Sequence, residues 1–133
     1  MRVFADTHFY VALLSRHDAA HAAASRWLRD PTLDEIITTS WVLVELANCM
    51  SRQHEREVTA QFIDSVRRAP ETFVIPADEQ LLARGFDLYR SRPDKQWSLT
   101  DCISFVVMRE RGLTKALTGD HHFEQAGFTV LLK

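Results

Sequence analysis

Four of the eighteen acidic residues fall where the pattern of apolar runs would aim them at one place. Asp6 closes the opening run Arg2-Val3-Phe4-Ala5-Asp6. Glu45 interrupts the apolar stretch from Trp41 to Met50, Asp101 follows Ser98-Leu99-Thr100, and Asp120 follows Leu117-Thr118-Gly119. Like charges gathered within a few ångströms repel unless a cation neutralises them. An all-oxygen set suits Mg²⁺, with Mn²⁺ as a substitute, far better than Zn²⁺, which favours His and Cys. Mg²⁺ keeps most of its waters, lowers the pKa of one and orients it towards phosphorus, which is the chemistry of phosphodiester hydrolysis. Asp6, Glu45, Asp101 and Asp120 are therefore the candidate catalytic and metal-holding residues.

Each acid also has a plainer reading. Ser98-Leu99-Thr100-Asp101 reads as a capping box, with an acid at N3 answering free N–H groups and the helix dipole. Asp6 fits the N-cap of a helix starting near His8, and Asp120 fits a turn beside Gly119. Glu45 is harder to dismiss. Its helix is apolar on nearly every face, no basic residue lies one turn away, and a buried carboxylate without a partner costs several kcal/mol or stays protonated.

Short β-branched or aromatic runs alternate with longer segments of helical period. Arg2 to Asp6, Ile36 to Thr39, Phe73 to Ile75, Lys115 to Leu117 and Phe128 to Leu132 read as strands, with helices between. Ser40 and Ser98 are N-cap candidates, Asp18 starts an Ala-rich helix through Leu28, and Gly112 fits the C′ position after Met108 to Arg111. Crossovers of this length favour parallel pairing and a three-layer α/β fold. In such a sheet ligands bind outside the carboxyl ends of the strands, where the acids recur.

The bulk numbers bound the rest. A chain of 133 residues is expected to form one domain over residues 1–133 around one core. No apolar run approaches the roughly 18 residues of a membrane span, and Asp6 comes too early for a secretory signal, so the cytoplasm is expected and no membrane partner. Cys49 and Cys102 read as buried free thiols. A net charge of −2 argues against a general nucleic-acid binder, although a bound cation would reverse the local sign where a phosphate arrives. No GxxxxGK, GxGxxG, GxSxG or HExxH run occurs, so no nucleotide cofactor is expected, nor serine hydrolysis or zinc proteolysis.

Taken in order, Asp6-Thr7 after the first strand, Val44-Glu45-Leu46, Ser98-Leu99-Thr100-Asp101-Cys102 and Leu117-Thr118-Gly119-Asp120-His121-His122-Phe123 resemble the four motifs of the PIN-domain family, and within it the VapC-type toxins of bacterial toxin-antitoxin pairs. The resemblance spans nearly the whole chain. It implies a PIN-like fold, a parallel sheet of about five strands flanked by helices, and cleavage of single-stranded RNA at a divalent-metal site. Asp6 and Asp101 would hold the metal, Asp120 would complete its shell directly or through water, and Glu45 would orient the attacking water or bind a second ion. Thr7 and Thr118 would hydrogen-bond these carboxylates or the RNA phosphate. A homodimer and a cognate antitoxin, able to place a basic side chain among the acids, are further implications. His8, His121 and His122 depart from plainer members, and the His pair reads as solvated.

A haloacid-dehalogenase-like phosphatase would need a second Asp where His8 stands. Two rivals stay open: a catalytically silent PIN-like module that only binds RNA or protein, and metal-independent cleavage by His pairs. Arg52, Arg84, Arg90, Arg92 and Lys95 are the basic residues that could meet an RNA backbone, each plainly readable as a solvated face. The aromatic residues follow helical or strand periods and read as core, so no stacking platform for bases is named.

Overall fold

A computed structural model describes residues 1–133. The chain runs β1 (Arg2–Ala5), α1 (Thr7–Leu14), α2 (His21–Leu28), β2 (Glu35–Thr39), α3 (Ser40–Cys49), α4 (Arg56–Arg68), β3 (Thr72–Ile75), α5 (Glu79–Ser91), α6 (Leu99–Glu110), β4 (Lys115–Leu117), α7 (His121–Gln125) and β5 (Thr129–Val130). The strands form one sheet of order β3-β2-β1-β4-β5, parallel throughout. This is the expected PIN-like α/β architecture.

Burial on both faces is what an all-parallel sheet demands, and β1 shows it: Val3, Phe4 and Ala5 are each fully buried. One cluster of 27 buried apolar residues forms the core. Phe4, Phe9, Phe105 and Phe123 are its largest fully enclosed side chains, each worth about 1.5–3 kcal/mol of burial. Phe105 meets Phe123 and Trp97 edge-on at centroid distances of 4.9 and 5.0 Å, which ties α6 to α7 and to the loop before α6. Close approach of α5 to α6 depends on Gly85, where a Cβ would stand 2.3 Å from Ile103 Cγ1.

The chain leaves β1 towards β2 and β3 on one side, whereas β4 and β5 lie on the other. That reversal makes the carboxyl ends of β1 and β4 the switch point, the place where open α/β sheets bind ligands. Register sets what faces it. Ala5 pairs with Leu117, so the next residues, Asp6 and Thr118, emerge side by side.

Several local expectations shift. Strand β1 stops at Ala5, so Asp6 is already the residue flanking α1. Thr39, not Ser40, caps α3: it keeps an extended backbone and its hydroxyl accepts from the Val42 N–H, so β2 passes into α3 without a loop. Asp18 does not cap α2. Its carboxylate accepts from the Ala20 N–H inside the preceding turn, and the helix starts at His21. Strand β5 is only Thr129–Val130, because Gly127 turns there with φ 96° before pairing begins, although Leu131 and Leu132 still donate to Ala116 and Thr118 carbonyls. Gly112 does stand just past α6 with φ 67°, where only glycine is free of strain.

The thiols differ from each other. Cys102 is buried, but Cys49 is exposed, because the outer side of α3 carrying Val44 and Asn48 has no element packed on it. Nor are all aromatics core: Phe73, Phe86 and Tyr89 are exposed. No helix is long and apolar enough to cross a membrane.

Candidate active site

Asp6 stands at the N-cap position of α1 but makes no capping bond. Its carboxylate turns across the sheet instead, and Oδ2 accepts a hydrogen bond from the Thr118 hydroxyl at 3.0 Å. The other oxygen, Oδ1, is buried without a partner, as is the neighbouring Thr7 hydroxyl. An orphaned carboxylate oxygen on a residue only 4% exposed is costly unless something outside the chain's own donors meets it. The plain reading as a helix cap therefore fails for Asp6.

Thr118 does two things. Its hydroxyl donates to Asp6 and accepts from the Asp120 N–H, also at 3.0 Å, joining the end of β1 to the loop after β4. That loop is pinned from the other side by His8, whose Nδ1 accepts from the Gly119 N–H at 2.8 Å. His8 must therefore carry its proton on Nε2. A Cβ at Gly119 would stand 2.8 Å from the His8 ring, so the glycine is what lets the loop approach.

Asp101 makes the full capping box with Ser98, and Asp120 caps α7 by accepting from the His122 N–H. The plain reading of Asp101 holds, and Asp120, read as a turn residue, is instead a helix cap, yet each cap uses a single oxygen, Oδ2 of Asp101 and Oδ1 of Asp120. Capping fixes these carboxylates in place without exhausting them. Glu45 is half-buried rather than sealed in, because Val44 beside it is open to solvent.

Electrostatics brings the four acids together. The Asp6 carboxyl is pushed up to about 7, first by burial, then by the Asp101 charge, with a smaller push from Glu45, against the opposing pull of the Thr7 N–H and the Thr118 hydroxyl. Asp101 is raised as well, first by burial, with Asp120 adding to it and the Ser98 N–H and His122 opposing it. Carboxylates whose charges push up Asp6 and Asp101 in this way make a negatively charged site that favours a cation. The donors are oxygens, the polar atom at the centre is unpartnered, and no trio of the acids closes within 4.8 Å. A hydrated divalent ion that keeps waters between itself and some carboxylates suits these facts.

Sequence reasoning misses the position of His122. Its Nδ1 lies 3.3 Å from Asp101 Oδ2 and 3.4 Å from Asp120 Oδ1, so this ring bridges two of the acids. Its neighbour His121 is exposed, as expected for a solvated residue. The most compact donor group in the chain is Asp120, His121 and His122, whose ligand atoms lie within 4.8 Å of one another. Position alone could have marked His122, two residues after a capping acid on the first turn of α7.

Comparison with known proteins agrees with this geometry. The model of the family described as PIN domain matches residues 3–129. The chain is 30% identical over 129 residues, 95% of both sequences, to the 23S rRNA-specific endonuclease VapC20 of Mycobacterium tuberculosis. The crystal structure of that protein, described as a Sarcin-Ricin loop cleaving toxin, superposes with a TM-score of 0.85 at 27% identity over 96% of both chains. The fold recurs in FitAcB from Neisseria gonorrhoeae (TM-score 0.67, 16% identity, 98% of this chain and 96% of that one). It recurs also in VapBC2 from Rickettsia felis (TM-score 0.68, 14% identity, 98% and 97%). With its switch-point acids, its parallel sheet and a family match over almost its full length, this chain belongs to the PIN-domain family, among the VapC-type toxin nucleases.

Proposed function

We propose that this chain is a Mg²⁺-dependent endoribonuclease that hydrolyses phosphodiester bonds in single-stranded or looped RNA at the Asp6, Glu45, Asp101 and Asp120 cluster. The observation that carries this reading is Asp6: a carboxylate taken out of water, refused a capping role, repelled by Asp101 and left with one unpartnered oxygen. A protein that only bound its partner would gain nothing from that arrangement, whose cost is several kcal/mol without a cation.

In this reading Asp6 and Asp101 hold the ion, and Asp120 completes its shell, directly or through water. Mg²⁺ held there would supply positive charge for the scissile phosphate and would lower the pKa of a water ligand. Thr118 keeps Asp6 Oδ2 in one orientation and leaves the buried Oδ1 without a partner of its own. Glu45, half-buried and partly solvated, orients the attacking water and accepts its proton. His122 spaces Asp101 from Asp120. Mn²⁺, similar in ligand preference, would replace Mg²⁺.

The relatives support the substrate class. The named action of VapC20 on 23S rRNA makes a structured ribosomal loop the first substrate to try. A cognate antitoxin is the expected protein partner, supported by recurrence of the fold in the VapBC2 assembly, and a basic side chain from it would neutralise the acids. We further propose a homodimer working in the cytoplasm, in keeping with two unpaired cysteines.

Product ends test the chemistry. Water attack leaves no 2′,3′-cyclic phosphate, whereas cleavage by paired histidines uses the 2′-hydroxyl and leaves one. Mass spectrometry of fragments should find only phosphate and hydroxyl ends. Cyclic phosphates formed in EDTA would transfer the activity to the histidines.

A further inference from the structure

Beyond the acids, one surface combines features that an enzyme acting on RNA would use. The carboxyl-terminal half of α5 and the loop to α6 enclose an open cleft of about 790 Å³. Phe86 and Tyr89, one turn apart on α5, are 42% and 49% exposed. Their rings lie nearly parallel, 25° apart with centroids at 6.0 Å. The Arg90 guanidinium sits 4.7 Å above the Phe86 ring, and that of Arg92 sits 5.1 Å from the ring of Trp97. Lys95 adds a third cation, but Arg92 is paired with Asp94 in the same loop at 2.9 and 3.0 Å, so Arg90 and Lys95 are the cations left free to meet a ligand. In a chain of net charge −2 this is a local inversion of sign.

Large aromatic rings are normally buried, and here two stand open beside the unpaired cations Arg90 and Lys95, without a core to fill. A flat aromatic face flanked by guanidinium groups matches an unpaired base and its phosphate, because every base offers a π-face and every nucleotide carries a charge. An apolar partner surface would gain nothing from Arg90 and Lys95. An acidic protein segment would meet the cations but leave the rings unused.

The cleft also leads to the acids. Ser98 and Leu99 are among the residues that line it, and Ser98 is the residue whose N–H and hydroxyl bond Asp101. One turn of helix, about 5 Å along its axis, separates them. A strand whose base stacks on Phe86 and Tyr89 can therefore continue along the loop to the carboxylates.

We infer that Phe86, Tyr89, Arg90 and Lys95 form a single-stranded RNA platform that holds a nucleotide flanking the scissile bond. This rests on the reading of the acids as a ribonuclease centre and adds where the substrate lies.

The test is binding of a fluorescein-labelled, unpaired RNA of about a dozen nucleotides, followed by anisotropy in Ca²⁺ to suppress cleavage, and then cleavage of the same RNA in Mg²⁺. Wild type is compared with Phe86→Ala/Tyr89→Ala and with Arg90→Gln/Lys95→Gln. All four positions are at least partly exposed, and thermal melts check that each variant folds. Losing a stacked base weakens binding by about 10- to 100-fold. The aromatic variant should show that loss with an unchanged salt slope, and KM should rise more than kcat falls. The charge variant should lower the salt slope by about two. Unchanged affinity and KM in both variants, with wild type still cleaving, would overturn the platform and spare the ribonuclease reading. Loss of a dimer by light scattering in the aromatic variant, with monomer affinity intact, would make the patch a contact between copies and also overturn it. Wild type that neither binds nor cleaves any RNA would remove the ribonuclease reading itself.

Discussion

Replacing Asp6 with asparagine should stabilise the protein when metal is withheld, although it removes a residue at the heart of the site. The carboxyl is pushed from its ordinary 3.8 up to about 7, by burial first and by Asp101 next. A rise of that size corresponds to ~4 kcal/mol between the neutral and the fully ionised group. The folded state thus keeps a proton that the unfolded chain releases. Its contribution is intact below about pH 4 and is lost progressively as pH rises to about 7. Between about pH 5 and pH 8 wild type should lose roughly 3 kcal/mol from this residue alone, equivalent to about 10 °C in Tm for a domain of this size. An asparagine side chain cannot ionise, and its amide oxygen can still accept from Thr118, so the variant's curve should be nearly flat over that range. Calorimetric melts in EDTA at a series of pH values read this directly, and Mg²⁺ should raise the wild-type Tm at the alkaline end without moving the variant. A variant less stable than wild type at about pH 8 in EDTA, or two parallel curves, would refute the account of Asp6 as an unneutralised acid awaiting a cation.

Thr118→Val keeps the shape but leaves Asp6 Oδ2 and the Asp120 N–H unpartnered. It should cost about 1–3 kcal/mol in urea melts and lower kcat at saturating Mg²⁺. Thr118→Ser, which keeps the hydroxyl, should recover both. Gly85→Ala sets two effects against each other: alanine favours the helix by about 1 kcal/mol, but its Cβ would overlap Ile103 Cγ1 at 2.3 Å and approach its Cα at 3.1 Å. Overpacking costs about 1–3 kcal/mol and should win, lowering Tm in EDTA and Mg²⁺ alike.

Strand positions and the acids' places after them were legible because alternating apolar runs and capping signals are local. Ser98 and Asp101 could be read as a capping box from four consecutive residues, and the box is there. Whether a carboxylate that caps can also face a site depends on tertiary register, and no local pattern carries that. Asp6 shows the limit: its sequence fits an N-cap, but pairing of Ala5 with Leu117 puts Thr118 within reach and turns the side chain away. His8 and His122 were hidden for the same reason, since their partners Gly119 and Asp101 lie 111 and 21 residues away. Glu45 was expected in an apolar enclosure because its helix is apolar all round, but nothing packs over Val44. Phe86 and Tyr89 followed a helical period and read as core; only the packing of α5 reveals that this face looks outward.

The most direct test of the central claim is cleavage of a labelled RNA hairpin bearing an unpaired loop, by wild type and Asp101→Asn, in Mg²⁺, Mn²⁺ and EDTA. Wild type should cleave in either metal and not in EDTA, and the variant should lose at least about 100-fold with a melting temperature in EDTA no lower than wild type. Cleavage in EDTA, or undiminished cleavage by Asp101→Asn, would contradict the claim.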